Sequence, residues 1–93
     1  MIDSFVHKGL QELFTKGKTK RLSQERLSKI KKILTLIDSA EGIDDLRIPA
    51  FRLHRLKAPP YHGYWSIDVS GNYRIIFEFD NGHVNNLNYL DTH

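Results

Sequence analysis

Apolar and polar residues alternate with period two on both sides of Ser70-Gly71-Asn72. Trp65, Ile67 and Val69 alternate with Ser66, Asp68 and Ser70; Tyr73, Ile75, Phe77 and Phe79 alternate with Arg74, Ile76 and Glu78. Two such arms around a short polar loop predict a β-hairpin. A two-residue Gly-Asn loop would set Val69 against Arg74 and mix the faces. A three-residue loop sets Val69 against Tyr73, Ile67 against Ile75 and Trp65 against Phe77, with Asp68 facing Arg74 on the other side. A slip of one residue flips every side chain, so the register that separates the faces is expected. Asn72 is expected to take a left-handed conformation in that loop. One face of the hairpin then needs a cover, and the other presents Arg74.

The cover comes from upstream. Leu10, Leu13 and Phe14 recur at helical spacing and predict a short helix from about His7 to Lys16, stopped by Gly17. Ser23 reads as an N-cap flanked by a Leu22/Leu27 hydrophobic staple. Leu27, Ile30, Ile33, Leu34 and Ile37 form one stripe, so a second helix is expected over about Gln24 to Ala40, with Gly42 as a left-handed cap. Ile2 to Val6 reads as a marginal strand, and Ile43 to Leu46 as one helical turn. Phe51 to Leu56 reads as a strand with Phe51 and Leu53 on one face, Arg52 and His54 on the other. Pro59-Pro60 limits it, because proline donates no ladder bond. Asp80-Asn81-Gly82 is a second turn, and His83 to Leu90 a last strand. Helices followed by antiparallel strands imply one α+β domain over residues 1–93, a helical hairpin packed on one sheet face. Trp65, Ile67, Val69, Ile75 and Phe77 are expected beneath Leu27, Ile30, Leu34 and Ile37.

Composition narrows the chemistry. The chain has no cysteine, which excludes disulfides, thiolate metal sites and a cysteine nucleophile. Met1 to Phe5 shows no signal-peptide pattern, and no apolar run reaches membrane-spanning length. Lys16, Lys18, Lys20, Arg21, Arg26, Lys29, Lys31 and Lys32 are eight of the fourteen Lys and Arg residues, and in that span only Glu25 opposes them. The block reads either as a polyanion-binding surface or as a solvated helix face. On the sheet's uncovered face, His54 and Arg74 would stand together, joined by Asp91 and His93 if the tail folds back. Lys57 converges with His54 only if its strand ends or bulges there. His54, His62 and His93 lack a short-spaced ligand pair, so no metal site is expected.

These residues carry a resemblance. Ile2-Asp3-Ser4-Phe5, His7-Lys8-Gly9-Leu10, Leu13-Phe14 with Gly17, Leu53-His54-Arg55-Leu56-Lys57, Gly63-Tyr64-Trp65-Ser66, Asn72-Tyr73-Arg74-Ile75 and Asp91-Thr92-His93 resemble, in order and spacing, the HigB-type toxins of the RelE/ParE toxin–antitoxin superfamily. The resemblance implies a RelE-like fold with an N-terminal strand and a curved antiparallel sheet. It implies a cytoplasmic, cofactor-free endoribonuclease that cleaves messenger RNA in the ribosomal A site. The implied partners are the ribosome and a HigA-like helix-turn-helix antitoxin, through which alone DNA is met; no membrane is implied. His54, Lys57, Arg74, Asp91 and His93 match the family's active positions. Lys57 and Arg74 are expected on the phosphate, and His54 and His93 as base and acid in either order. Asp91 is expected to orient a histidine or act as a base itself. Lys16, Lys18, Lys20, Arg21, Lys29 and Lys32 are expected on ribosomal RNA. The chain departs from the family at Thr92, where a tyrosine is usual, and at Ala58-Pro59-Pro60, where glycine commonly follows the lysine. The alternatives are a ParE-like toxin that binds a protein target such as gyrase, and a degenerate toxin that only binds its antitoxin.

Overall fold

The computed structural model describes residues 1–92. Helices α1 (Lys8–Lys16) and α2 (Gln24–Ser39) precede strands β1 (His54–Arg55), β2 (Trp65–Asp68), β3 (Tyr73–Asp80) and β4 (His83–Asp91). The strands form one antiparallel sheet in the order β1-β2-β3-β4. The central hairpin has the expected register: Trp65 opposes Phe77, Ile67 opposes Ile75, and Asp68 opposes Arg74. Leu27, Ile30, Leu34 and Ile37 are buried in one cluster with Ile67, Val69, Ile75 and Phe77, and Trp65 packs at its margin. Burial of the two apolar faces against each other is what joins the layers.

The loop at the hairpin tip differs from expectation. Asn72 is not left-handed; Val69 and Ser70 both donate to the Tyr73 carbonyl, at 2.9 and 3.1 Å. The left-handed asparagines are Asn81, in the tight turn before Gly82, and Asn86. Gly42 does not cap α2, which ends at Ala40 in extended conformation. Phe51 is not in a strand. It is a buried plug closing a 3-10 turn with Pro49 and Ala50, so pairing begins only at His54.

The N-terminal segment is two isolated bridges, Ile2 to Val84 and Phe5 to Leu87, both parallel. They lie beside a bulge in β4. Ile76 pairs with Asn88 but Glu78 pairs with Asn85, so β4 carries one extra residue. Left-handed Asn86 sits in the bulge, and its backbone N–H donates to Ser4 Oγ at 2.8 Å. Ser4 Oγ in turn donates to Asn85 Oδ1. The N-terminal segment thus braces an irregularity rather than extending the sheet as a full strand. Bulges of this kind bend and twist the strand that holds them.

Gly17 ends α1 in the left-handed conformation, as expected. At the other end, His7 caps the helix: its Nδ1 accepts from the Leu10 N–H at 3.2 Å. Gly9 makes this cap possible, since a Cβ there would lie 2.8 Å from the His7 ring. Burial, and then the Arg21 guanidinium, lower the His7 pKa. The folded state therefore binds this proton less readily than the unfolded chain. Stability is fully present above the ordinary histidine value of about 6.5 and declines as pH falls from there through the lowered folded value. Urea denaturation at mildly acidic and at neutral pH should show this loss. His7→Asn, which keeps a capping side chain, should reduce it.

Candidate active site

In paired strands, opposed residues share a face and successive residues alternate. His54 opposes Ser66, Ser66 opposes Ile76, and Ile76 opposes Asn88, which makes one row across the face opposite the helices. Asp68, Arg74 and Leu90 form the next row on that face. His54 and Arg74 therefore stand on the same side. Two strand spacings of about 4.8 Å and two residues of about 3.4 Å put their Cα atoms roughly 12 Å apart. That gap fits a phosphodiester between an imidazole and an extended guanidinium.

Arg74 is half-buried and has no ion pair within 4 Å among the described residues. Asp68, its cross-strand neighbour, pairs instead with Arg52 at 3.6 Å. His54 is exposed, and its Nδ1 lies 2.9 Å from the Arg52 carbonyl. A carbonyl only accepts, so Nδ1 carries the hydrogen and Nε2 of the neutral ring is the basic atom. Below it, Ser66 is fully buried, and its hydroxyl has no partner among the described residues. Lys57 is exposed in the loop after β1. That loop is closed by Leu56 donating to Tyr64 O and Gly63 donating to Leu56 O. The sheet pairing thus ends before Lys57, which is what convergence with His54 requires.

Asp91 is placed differently. It opposes Tyr73 and so falls on the helix side at the sheet's end, opposite to Arg74. Thr92 does not fold back; its N–H and hydroxyl both donate to the Asn72 carbonyl, at 2.6 and 3.0 Å. A threonine in the tyrosine's place latches the tail to the hairpin loop. His93 lies outside the described residues.

The helix side near Asp91 holds a residue that sequence reasoning treated only as part of the basic block. The Arg26 guanidinium sits 4.0 Å from the Tyr73 ring centroid, and Nε donates to the Tyr89 hydroxyl at 3.1 Å. Tyr73 and Tyr89 are themselves stacked. Burial raises the Tyr89 pKa, against the opposing effect of Arg26. Placing Arg26 on the same stripe as Ile30, Ile33 and Ile37 would have shown that it faces inward.

The other basic residues divide. Arg21 is tied to Glu12 at 2.6 Å. Lys31 lines a groove with Leu13, Phe14 and Gly17 beside the end of α1. At about 100° per residue, Lys29 and Lys31 lie roughly 160° apart around α2, flanking its buried stripe on opposite sides. A hollow of about 550 Å³ is lined in part by Arg55, His62, Glu78 and Asn86. His54 and Arg74 are not among its lining residues; His54 is exposed and Arg74 half-buried, whereas Ser66 and Ile76 between them on that face are fully buried. Among the described residues, no group of three or more His, Asp or Glu is close enough to hold a metal ion.

The fold is that of small bacterial toxins. The chain matches the YoeB–YefM complex from Staphylococcus aureus at a TM-score of 0.63 and 16% identity, covering 100% of this chain and 98% of that one. It matches a YafQ mutant from E. coli at 0.62 and 15%, covering 98% and 93%. The family follows from sequence. The model of HigB-like toxins, the RelE-like toxins of the type II toxin–antitoxin system HigB, matches residues 3–93, and the chain belongs to this family. It is 45% identical over 93 residues, the whole of both chains, to a Proteus vulgaris protein named endoribonuclease HigB. It is also 42% identical over 60 residues to an uncharacterised Haemophilus influenzae protein, covering 64% of this chain and 58% of that one.

Proposed function

We propose that this chain is a ribosome-dependent endoribonuclease that cleaves messenger RNA in the A site and is silenced by a HigA-like antitoxin in the cytoplasm. The observation that carries the mechanism is the sheet register, which stands His54 and Arg74 on one face, opposite the helices. His54 Nε2 takes the proton from the ribose 2′-hydroxyl. The 2′-oxygen attacks phosphorus, and the bond to the 5′-oxygen breaks, leaving a 2′,3′-cyclic phosphate and a 5′-hydroxyl. Arg74 and Lys57 stabilise charge on the phosphorane, where pre-organised donors act most strongly. His93 gives a proton to the leaving oxygen; Asp91, on the other side of the sheet from Arg74, has no part in that step. No helix is long and apolar enough to cross a membrane.

The test is induced expression followed by mapping of message 5′ ends. Cuts at a fixed codon phase, confined to translated regions, are expected. Cuts that ignore reading frame and translation would overturn ribosome dependence. Lys16, Lys18, Lys20, Arg21, Lys29 and Lys32 are assigned to ribosomal RNA. Reversing four of these charges should weaken ribosome binding, with a shallower dependence on salt than the unaltered protein shows. The division around α2 adds an order: changes at Lys16, Lys18 and Lys20 should act together, and Lys29 separately. Sedimentation with ribosomes over a salt series measures both.

A further inference from the structure

Among the described residues, three non-glycine positions have positive φ: Arg52, Asn81 and Asn86. Asparagine enters the left-handed region readily; arginine does not. Arg52 has φ 49° and ψ 47°, a conformation that persists only where the surroundings over-determine it. Here they do. The Arg52 N–H closes the 3-10 turn onto the Pro49 carbonyl at 3.3 Å. Phe51 before it is anchored in the core. His54, two residues on, is held in register with Ser66. The Arg52–Asp68 pair contributes little, being 3.6 Å long with the arginine side chain 78% exposed. What the turn accomplishes is to aim the Arg52 carbonyl at His54 Nδ1, 2.9 Å away.

We propose that the left-handed backbone of Arg52 is a positioning device for the active site: its carbonyl selects the Nδ1–H tautomer of His54 and so makes Nε2 the basic atom. Arg52 acts through His54. The role belongs to its backbone and not to its guanidinium. Its catalytic importance rests on the assignment of His54 as base, whereas the tautomer can be read without any cleavage.

That division sets the experiment. Arg52→Val places a β-branched residue where φ is positive, which strongly disfavours the left-handed turn. Arg52→Gly and Arg52→Asn remove the same guanidinium but accept the turn. In protein labelled with ¹⁵N at histidine, ring shifts at alkaline pH should report Nδ1–H in the wild type and a loss of that preference in the valine variant. Cleavage on programmed ribosomes should fall on the order of a hundredfold in the valine variant, the cost typical of misplacing a catalytic group by about 1 Å. Glycine and asparagine should restore both the tautomer and the rate. If valine impairs folding, Arg52→Ala should give a smaller change in the same direction. Retention of the wild-type tautomer by the valine and alanine variants overturns the proposal. So does a loss of rate with glycine and asparagine as deep as with valine, which would assign the role to the guanidinium. A tautomer change with an undiminished rate would uphold the Arg52 contact and overturn His54 as the base.

Discussion

Arg74→Ala should lower the rate of message cleavage by roughly a hundredfold to a thousandfold, the usual loss on removing one pre-organised charge stabiliser. The fold should be untouched. Arg74 stands on the sheet face opposite the helices, half-buried and outside the core cluster, with Leu90 and Asp68 as its cross-strand neighbours. Its removal opens no cavity among the helix-side residues, so stability should change by no more than about 0.5 kcal/mol. A guanidinium presents two parallel N–H donors to two phosphate oxygens, whereas an ammonium supplies a single mobile charge. Arg74→Lys should therefore recover only part of the rate. Single-turnover cleavage on programmed ribosomes, beside thermal melts of the same preparations, measures both quantities. An alanine variant that melts like wild type and cleaves at the wild-type rate would remove Arg74 from the mechanism.

Phe77→Ala should do the reverse and destroy the scaffold. Phe77 is fully buried at the centre of the helix-facing side, opposite Trp65, in the cluster that includes Ile30, Leu34 and Ile37. Truncating a buried phenylalanine costs about 3–5 kcal/mol in transfer and cavity terms, against a total of about 5–15 kcal/mol for a whole domain. For a chain of this size the melting midpoint should fall by at least about 12 °C. Equilibrium denaturation in urea gives the same quantity as a shift in midpoint. A loss under about 1 kcal/mol would mean that the core collapses to fill the space, contrary to the close packing expected of such interiors.

Much of this was legible in the chain because its signals were local. The three-residue loop at Ser70-Gly71-Asn72 and the register across it follow from two alternating arms that must each keep their apolar residues on one side. The two helices follow from stripes at helical spacing, and the covered sheet face from the need to bury both patterns together. His54 and Arg74 were placed on a common face by alternation alone. Phe51 misled because alternation cannot tell a strand from a turn whose single apolar residue is a plug. Arg26 was counted as surface charge, although a guanidinium can lie over an aromatic ring and face inward.

What the sequence by itself determined was the layer structure and the identity of the groups available for acid–base and phosphate chemistry. The tertiary structure decided which side of the sheet the carboxyl-terminal strand presents. The turn at Asn81-Gly82 sets Asp80 against His83, and an unbroken ladder from there would bring residue 91 opposite residue 72, on the face of Arg74. The extra residue at Asn86 shifts the pairing by one, so Asp91 opposes Tyr73 and Leu90 opposes Arg74. One bulge thus reverses every side chain beyond it. It is held by the hydroxyl of Ser4, more than eighty residues away in sequence. Periodicity within a strand does not encode a contact at that separation. The facing of Tyr89, Leu90 and Asp91 was therefore settled only when the two ends of the chain met.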